Sequence, residues 1–314
     1  MVETASKDVK FFVEKHPESL DKPRPEVLKE LLNNEVCDFL NSRKWGVSLA
    51  TIQLGETTAK VIQDINKNYP QLPFTMWLVL PDRQGYWTNE SNINETKSLV
   101  KNVENWVNQY ELNIAGFGFD IEPPINFIRE TNKSPLHLAL NAIKRDFSLR
   151  TTHKFQKENF RQELDDLISD VKHNGIPTEA YVHPWITGKL FNIAPKTNAD
   201  YNFVMVYSSL FKNPLGQAIP KHFLDKDNEK QFPAIGNFTH DMKKHDGRKL
   251  VPNDEKSITG LKELERDITN LAQKSQKDGR NYLERFRVFA LTGKPIIEAT
   301  NSALEKIKVA SSNF

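Results

Sequence analysis

The sequence predicts a single (β/α)8 TIM barrel, and three observations lead there. Short apolar runs alternate with polar loops and stretches of helical spacing along nearly the whole chain. That is the pattern of a parallel sheet covered by helices. Eight such runs can be counted, the number that closes this kind of barrel. The 314 residues suit one barrel of about 250 residues enlarged by insertions. The expected domain therefore spans 1–314, with a longer insertion around 123–175. If the first run is not a strand, an open doubly wound sheet is the competing architecture.

The first run, Val9 to Glu14, holds Phe11, Phe12 and Val13. Pro25 and Glu26 then open a helix that carries Leu28, Leu31, Leu32 and Val36 at helical spacing. The second strand is Gly46 to Leu54. The helix after it runs through Thr58, Val61, Ile62 and Ile65 and stops near Tyr69-Pro70. The third strand is Phe74 to Leu80, and its loop contains Pro81, Gly85, Tyr86 and Trp87. A helix from about Asn94 places Leu99, Val103, Trp106 and Val107 on one face. The fourth strand is Ile114 to Ile121, and the connection from 129 to 173 reads as two helices. Strands five to seven are Ile176 to Val182, Tyr201 to Tyr207 and Phe232 to Phe238. A helix over Lys256 to Lys277 keeps Leu261, Leu264, Ile268 and Leu271 in register. The eighth strand, Phe286 to Leu291, and a helix over Ile296 to Val309 close the chain.

Composition removes several function classes. The 43 basic and 41 acidic residues leave a net charge of +2, with no concentrated basic patch for nucleic acid or an anionic membrane. No run of about 18 apolar residues is present, so no membrane insertion is expected. The start, Met1 to Asp8, lacks the apolar core of a signal peptide. The expected location is cytoplasmic, or secreted if a leader was removed. Cys37 is the one cysteine, which excludes a disulfide within this chain. It reads as a small buried residue on a helix. Four Asn-x-Ser/Thr sequons, at Asn89, Asn94, Asn132 and Asn237, fit an asparagine-rich composition. No Gly-x-Gly-x-x-Gly, phosphate loop, paired cysteines or closely spaced histidines appear, so neither a cofactor nor a metal is expected.

The most informative segment is Gly116-Phe117-Gly118-Phe119-Asp120-Ile121-Glu122-Pro123-Pro124. Side chains alternate faces along a strand. Gly116, Gly118, Asp120 and Glu122 therefore share one face; Phe117, Phe119 and Ile121 share the other. In a barrel the phenylalanines turn out to the helices and the acids turn in. The acids also fall at the C-terminal end of the strand, where barrel enzymes keep their chemistry. Two carboxylates this close push one pKa up, the condition for a general acid.

This segment resembles the fourth strand of the chitinase-like family 18 glycoside hydrolases, Asp-x-x-Asp-x-Asp-x-Glu. The final Glu falls on Glu122 and the last Asp on Asp120. The family's sixth-strand motif, Met-x-Tyr-Asp/Asn, is similar to Met205-Val206-Tyr207-Ser208. The resemblance implies a retaining, substrate-assisted hydrolysis of N-acetylglucosamine-containing glycans. Glu122 would protonate the glycosidic oxygen. Asp120 would orient the 2-acetamido group, and Tyr207 would hydrogen-bond its carbonyl. The chain departs from the pattern at Ala115, Gly118 and Ser208, each where the family has an acid, and the eighth strand lacks the family's tryptophan floor.

Other rim residues complete the expected glycan site. Trp185, Trp87 and Tyr86 offer broad faces for sugar rings. His183, Tyr181 and Met205 lie near strand ends, and Gln53, Asn237 and His240 are candidates for hydroxyl contacts. Trp77 and Trp45 read as core. The expected partner is an oligosaccharide substrate. Two alternatives stand beside this reading. One is a carbohydrate-binding barrel without catalysis, suggested by Gly118. The other is a metal-dependent phosphodiesterase, with His16 and His183 joining Asp120 and Glu122 around a divalent ion.

Overall fold

The computed structural model describes residues 8–14, 24–122, 154–182, 197–206, 224–236, 254–291 and 293–312. Eight parallel strands close into one barrel in chain order. They are β1 (Asp8–Val13), β2 (Gly46–Ala50), β3 (Phe74–Leu78), β4 (Gly116–Ile121), β5 (Thr178–Val182), β6 (Tyr201–Met205), β7 (Gln231–Gly236) and β8 (Arg285–Phe289). Closure is made by β8 on β1, with Val9 opposite Phe286 and Phe11 opposite Val288. The first run is thus a true strand, which removes the open sheet. The helices are α1 (Arg24–Leu31), α2 (Asn34–Arg43), α3 (Glu56–Asn68), α4 (Ile93–Gln109), α5 (Lys154–His173), α6 (Asp254–Asp278) and α7 (Lys294–Ser312). Among the described residues no helix is long and apolar enough to cross a membrane.

Most strand residues are apolar because both sheet faces are covered. Val9, Phe11, Val13, Phe117, Phe119 and Ile121 belong to the outer core beneath the helices. Phe12, Trp77, Tyr181, Phe203 and Met205 fill the interior. The alternation predicted for β4 therefore has the expected phase. Trp45 packs outside the barrel, its ring 5.8 Å from that of Phe11. Cys37 is buried on α2, and burial together with the Asp38 charge pushes its thiol up to about 12.

Two local expectations need correction. The stretch after β1, read as one helix, is two. Asn33 interrupts it by accepting the Val36 amide at 3.1 Å, a side-chain cap that starts α2. Strand β2 ends at Ala50, short of Leu54. Beyond it the Thr51 hydroxyl takes over the ladder, accepting the Val79 amide at 3.0 Å. The backbone then reaches φ 54° at Gln53, a left-handed conformation incompatible with a strand. The predicted insertion is described only from 154 onward, as α5.

The N-terminal half of the interior holds an ion network. Glu179 of β5 accepts Lys10 Nζ at 2.6 Å, Arg287 Nη2 at 2.6 Å and Nε at 2.9 Å, and the Tyr181 hydroxyl at 2.8 Å. Lys10 also donates to Thr75 Oγ1 at 2.7 Å, and Arg287 Nη1 reaches Asp8 Oδ1 at 3.0 Å. The guanidinium lies 4.0 Å from the Phe203 ring centroid. Burial acts to raise the Glu179 pKa, but Arg287 and Lys10 outweigh it and hold the carboxylate well below its usual range. Buried charges of this kind are tolerable only when each is paired and hydrogen-bonded. A stabilising N-terminal end with chemistry at the C-terminal end is the usual division of a barrel.

Above this network the Tyr181 ring occupies the interior beside Gly118. A Cβ on Gly118 would meet Tyr181 Cε2 at 2.4 Å and its hydroxyl at 2.5 Å. Gly118 is therefore a steric requirement of Tyr181. Gly118→Ala should lower stability by about 1–3 kcal/mol through overpacking, read as a fall in the urea midpoint. Combining it with Tyr181→Phe, which leaves the ring in place, should recover little of the loss. Combining it with Tyr181→Leu should recover more.

Candidate active site

The site lies where β4 ends. Asp120 points into the barrel and is 2% exposed. Its Oδ2 accepts the indole N–H of Trp77 at 3.1 Å. Its Oδ1 is buried and receives no hydrogen bond from the described residues. Glu122, two positions on, keeps partial contact with solvent. Burial, followed by the charges of Glu122 and Glu14, pushes the Asp120 pKa well above its usual value, against the Trp77 hydrogen bond. Burial and then the Glu14 charge push Glu122 up to about 8, against its hydrogen bond with Asp120. The two groups share a site and titrate as a pair. Burial and like charge both favour a proton held on the pair.

The loop between β3 and α4 walls this site on one side. Thr88 N donates to Asp120 O at 2.8 Å, and Leu80 N donates to Tyr86 O at 2.8 Å. Gly85 and Tyr86 take φ values of 97° and 61°, which turn the chain sharply back. Asn92 fixes the turn by donating to Gln84 O at 2.9 Å and Trp87 O at 2.8 Å. Asn89 is buried in the same loop and donates its side-chain amide to Trp87 O at 2.7 Å. The sequon at Asn89 is thus used internally. Its amide nitrogen is not presented for glycosylation in the folded state.

The described site residues fall into different places. Trp87 stays partly exposed beside the mouth, with its ring 5.3 Å from that of Tyr86. Tyr86 is buried, at 3% exposure, and its hydroxyl donates to Glu14 Oε1. Its expected role as a sugar platform is corrected: the left-handed backbone turns the ring inward. Tyr181 is corrected likewise. It is fully buried beneath the acids, and its hydroxyl is taken by Glu179 and Ser48. Met205 is 5% exposed and packs in the interior, so its expected sugar contact becomes a packing contact. Gln53 is exposed just past β2. Tyr207, His183, Trp185, Asn237, Ser208, His16 and His240 lie outside the described residues. Among the described residues no group of three or more His, Cys, Asp or Glu is placed to hold a metal ion.

Sequence reasoning missed Glu14 and Trp77. Glu14 continues the inward phase of Lys10 and Phe12 one step past β1, so the alternation already carried its signal. Trp77 sits opposite Gly118 in the β3–β4 register. Nothing in its own sequence neighbourhood distinguishes it from a core tryptophan.

The fold and the site together define a closed (β/α)8 barrel that carries two acids, Asp120 and Glu122, where β4 ends. Solved structures share this fold. The GH18 chitinase ChiB of Flavobacterium johnsoniae is 11% identical, with a TM-score of 0.55 over 96% of this chain and 94% of its own. A family GH18 chitinase from Cycas revoluta, in complex with allosamidin, is 12% identical, with a TM-score of 0.51 over 96% and 98%. The spore cortex-lytic enzyme SleL of Bacillus megaterium is 11% identical, with a TM-score of 0.51 over 95% of this chain and 73% of its own. No family model matches the sequence, and no curated protein matches it.

Proposed function

We propose that the protein is a glycoside hydrolase acting on N-acetylglucosamine-containing glycans, with Glu122 as general acid/base. The observation that carries this reading is the β4 acid pair. Glu122 stands at the barrel mouth with partial solvent access and a pKa raised to about 8. The buried Asp120 is fixed beneath it by Trp77. The fold shared with GH18 chitinases supports the reading.

In this mechanism Glu122 donates its proton to the glycosidic oxygen as the bond breaks. The substrate's own 2-acetamido oxygen attacks the anomeric carbon and forms a cyclic intermediate. Asp120 orients that acetamido group and balances the charge it gains. Glu122, now a carboxylate, takes a proton from the water that opens the ring, so the anomeric configuration is retained. Tyr207 would hold the acetamido carbonyl. Trp87, Trp185, His183 and Asn237 are the proposed rim contacts.

The test is incubation with β-linked N-acetylglucosamine oligomers and with their deacetylated counterparts, followed by proton NMR of the anomeric signals. Release of reducing ends with the β configuration from acetylated oligomers alone supports the mechanism. Equal cleavage of deacetylated oligomers contradicts it, because they lack the nucleophile. A second reading, glycan binding without cleavage, is favoured by one observation: the Tyr181 ring fills the interior at Gly118, where the resembling family carries an acid. Binding of acetylated oligomers with no new reducing ends would decide for it.

A further inference from the structure

We propose that Glu14, at the C-terminal end of β1, is a positioning residue of the β4 acid pair, acting through its negative charge and held at the mouth by the Tyr86 hydroxyl. This inference rests on the reading of Asp120 and Glu122 as the proton-transfer pair.

The placement follows from the packing. Lys10 and Phe12 of β1 point into the barrel, and Glu14 is the next residue of that phase. Directly below it the Phe12 ring meets Trp77 edge-on at 4.8 Å and Tyr181 at 4.7 Å. Trp77 in turn holds Asp120. Glu14 is thus carried on the same packed aromatic layer that holds Asp120. From the other side, the β3–α4 loop delivers the Tyr86 hydroxyl to Glu14 Oε1. The loop holds Tyr86 in a left-handed backbone conformation while making this bond. The same loop is tied to β4 through Thr88 and Asp120 O. One segment therefore fixes Glu14 relative to Asp120 and Glu122.

The electrostatics agree with the geometry. Among the described residues, the charge that acts on Glu122 is that of Glu14, just past β1, while Asp120 acts on it through a hydrogen bond. The cations Lys10 and Arg287 lie lower in the barrel and are engaged by Glu179 and Asp8. An anion held beside the pair disfavours ionisation and keeps its proton in place.

The test is a carboxyl 13C NMR titration of the Glu122 signal, identified by its absence in Glu122→Gln. It is run on the wild type, Glu14→Gln, Glu14→Asp and Tyr86→Phe. Because the readout needs no substrate, it separates this inference from the glycosidase reading. Removing the charge in Glu14→Gln should lower the Glu122 midpoint by about one pH unit. Glu14→Asp should restore at least half of that shift. Tyr86→Phe should also lower the midpoint, because Glu14 loses its tether and the donor that favours its anion. If turnover is present, the alkaline limb of kcat/KM should move in step with each midpoint. An unchanged or raised midpoint in Glu14→Gln overturns the inference, as does a Glu14→Asp protein that behaves like Glu14→Gln. If Glu14→Gln does not fold, Tyr86→Phe decides, and an unmoved midpoint there overturns the inference.

Discussion

Glu122→Gln should lower kcat on acetylated oligomers by about 100-fold to 10,000-fold, the range general acid catalysis supplies, while oligomer binding is kept. The amide preserves the shape of the side chain and removes the transferable proton. Wild-type kcat/KM should fall as pH rises through about 8, where the raised pKa of Glu122 releases its proton, and the residual rate of the variant should lose that limb. The same shift has a consequence for stability. The folded value lies above the ordinary carboxylate value of about 4.3, so the folded state binds the proton more tightly. This contribution is fully present below about pH 4.3 and is lost as pH rises through about 8. Glu122→Gln should therefore be more stable than the wild type at pH 9, by about 1–3 kcal/mol given the partial solvent contact of Glu122, and the gap should close towards pH 5. Urea unfolding at the two pH values reads it directly. Wild-type turnover in the variant would remove Glu122 from the chemistry.

The second large effect belongs to the opposite end of the barrel. Arg287→Met should cost about 3–5 kcal/mol at pH 7, because Glu179 loses its main partner in a fully buried site. Burial acts to raise the carboxyls of both Glu179 and Asp8, but the nearby cations outweigh it and hold both below their usual range. The stability they contribute is present above the unfolded-state values of about 4. It is lost as pH falls through the lower folded-state values. The difference between wild type and variant should therefore be widest near neutrality and shrink below about pH 4. Arg287→Met combined with Glu179→Leu and Lys10→Met should be less destabilised than Arg287→Met alone, since the buried carboxylate and both of its cations are then removed together. Equal losses in the single and triple variants would show that the network is held by packing alone.

These two ends of the molecule differ in how far the sequence reveals them. The β4 acids were legible because alternation alone places Asp120 inward, away from Phe117, Phe119 and Ile121. The eight apolar runs were legible for the same reason, with the end of β2 displaced where the Thr51 hydroxyl takes the Val79 amide. The ion network was not. Asp8 and Arg287 are 279 residues apart, and Lys10 and Glu179 are 169 apart. Each reads locally as an exposed charge interrupting a strand. Only barrel closure brings β1, β5 and β8 together and turns them into mutual partners. Gly118 carried a similar ambiguity. It reads as a missing acid, whereas the Tyr181 side chain from β5 lies against it and makes the small residue necessary. For Tyr86 a Gly-aromatic loop suggests a platform, and only its burial and its hydroxyl bond to Glu14 show the ring turned inward.

A carboxyl-labelled NMR titration of the wild-type protein, with Glu122→Gln and Asp120→Asn as assignment controls, probes the acid pair most directly. A proton retained between Asp120 and Glu122 at pH 7, and released with a midpoint near 8, is the predicted result. Two carboxyls both ionised by pH 5 would mean that the barrel mouth holds no donor, and the proposed chemistry could not start there.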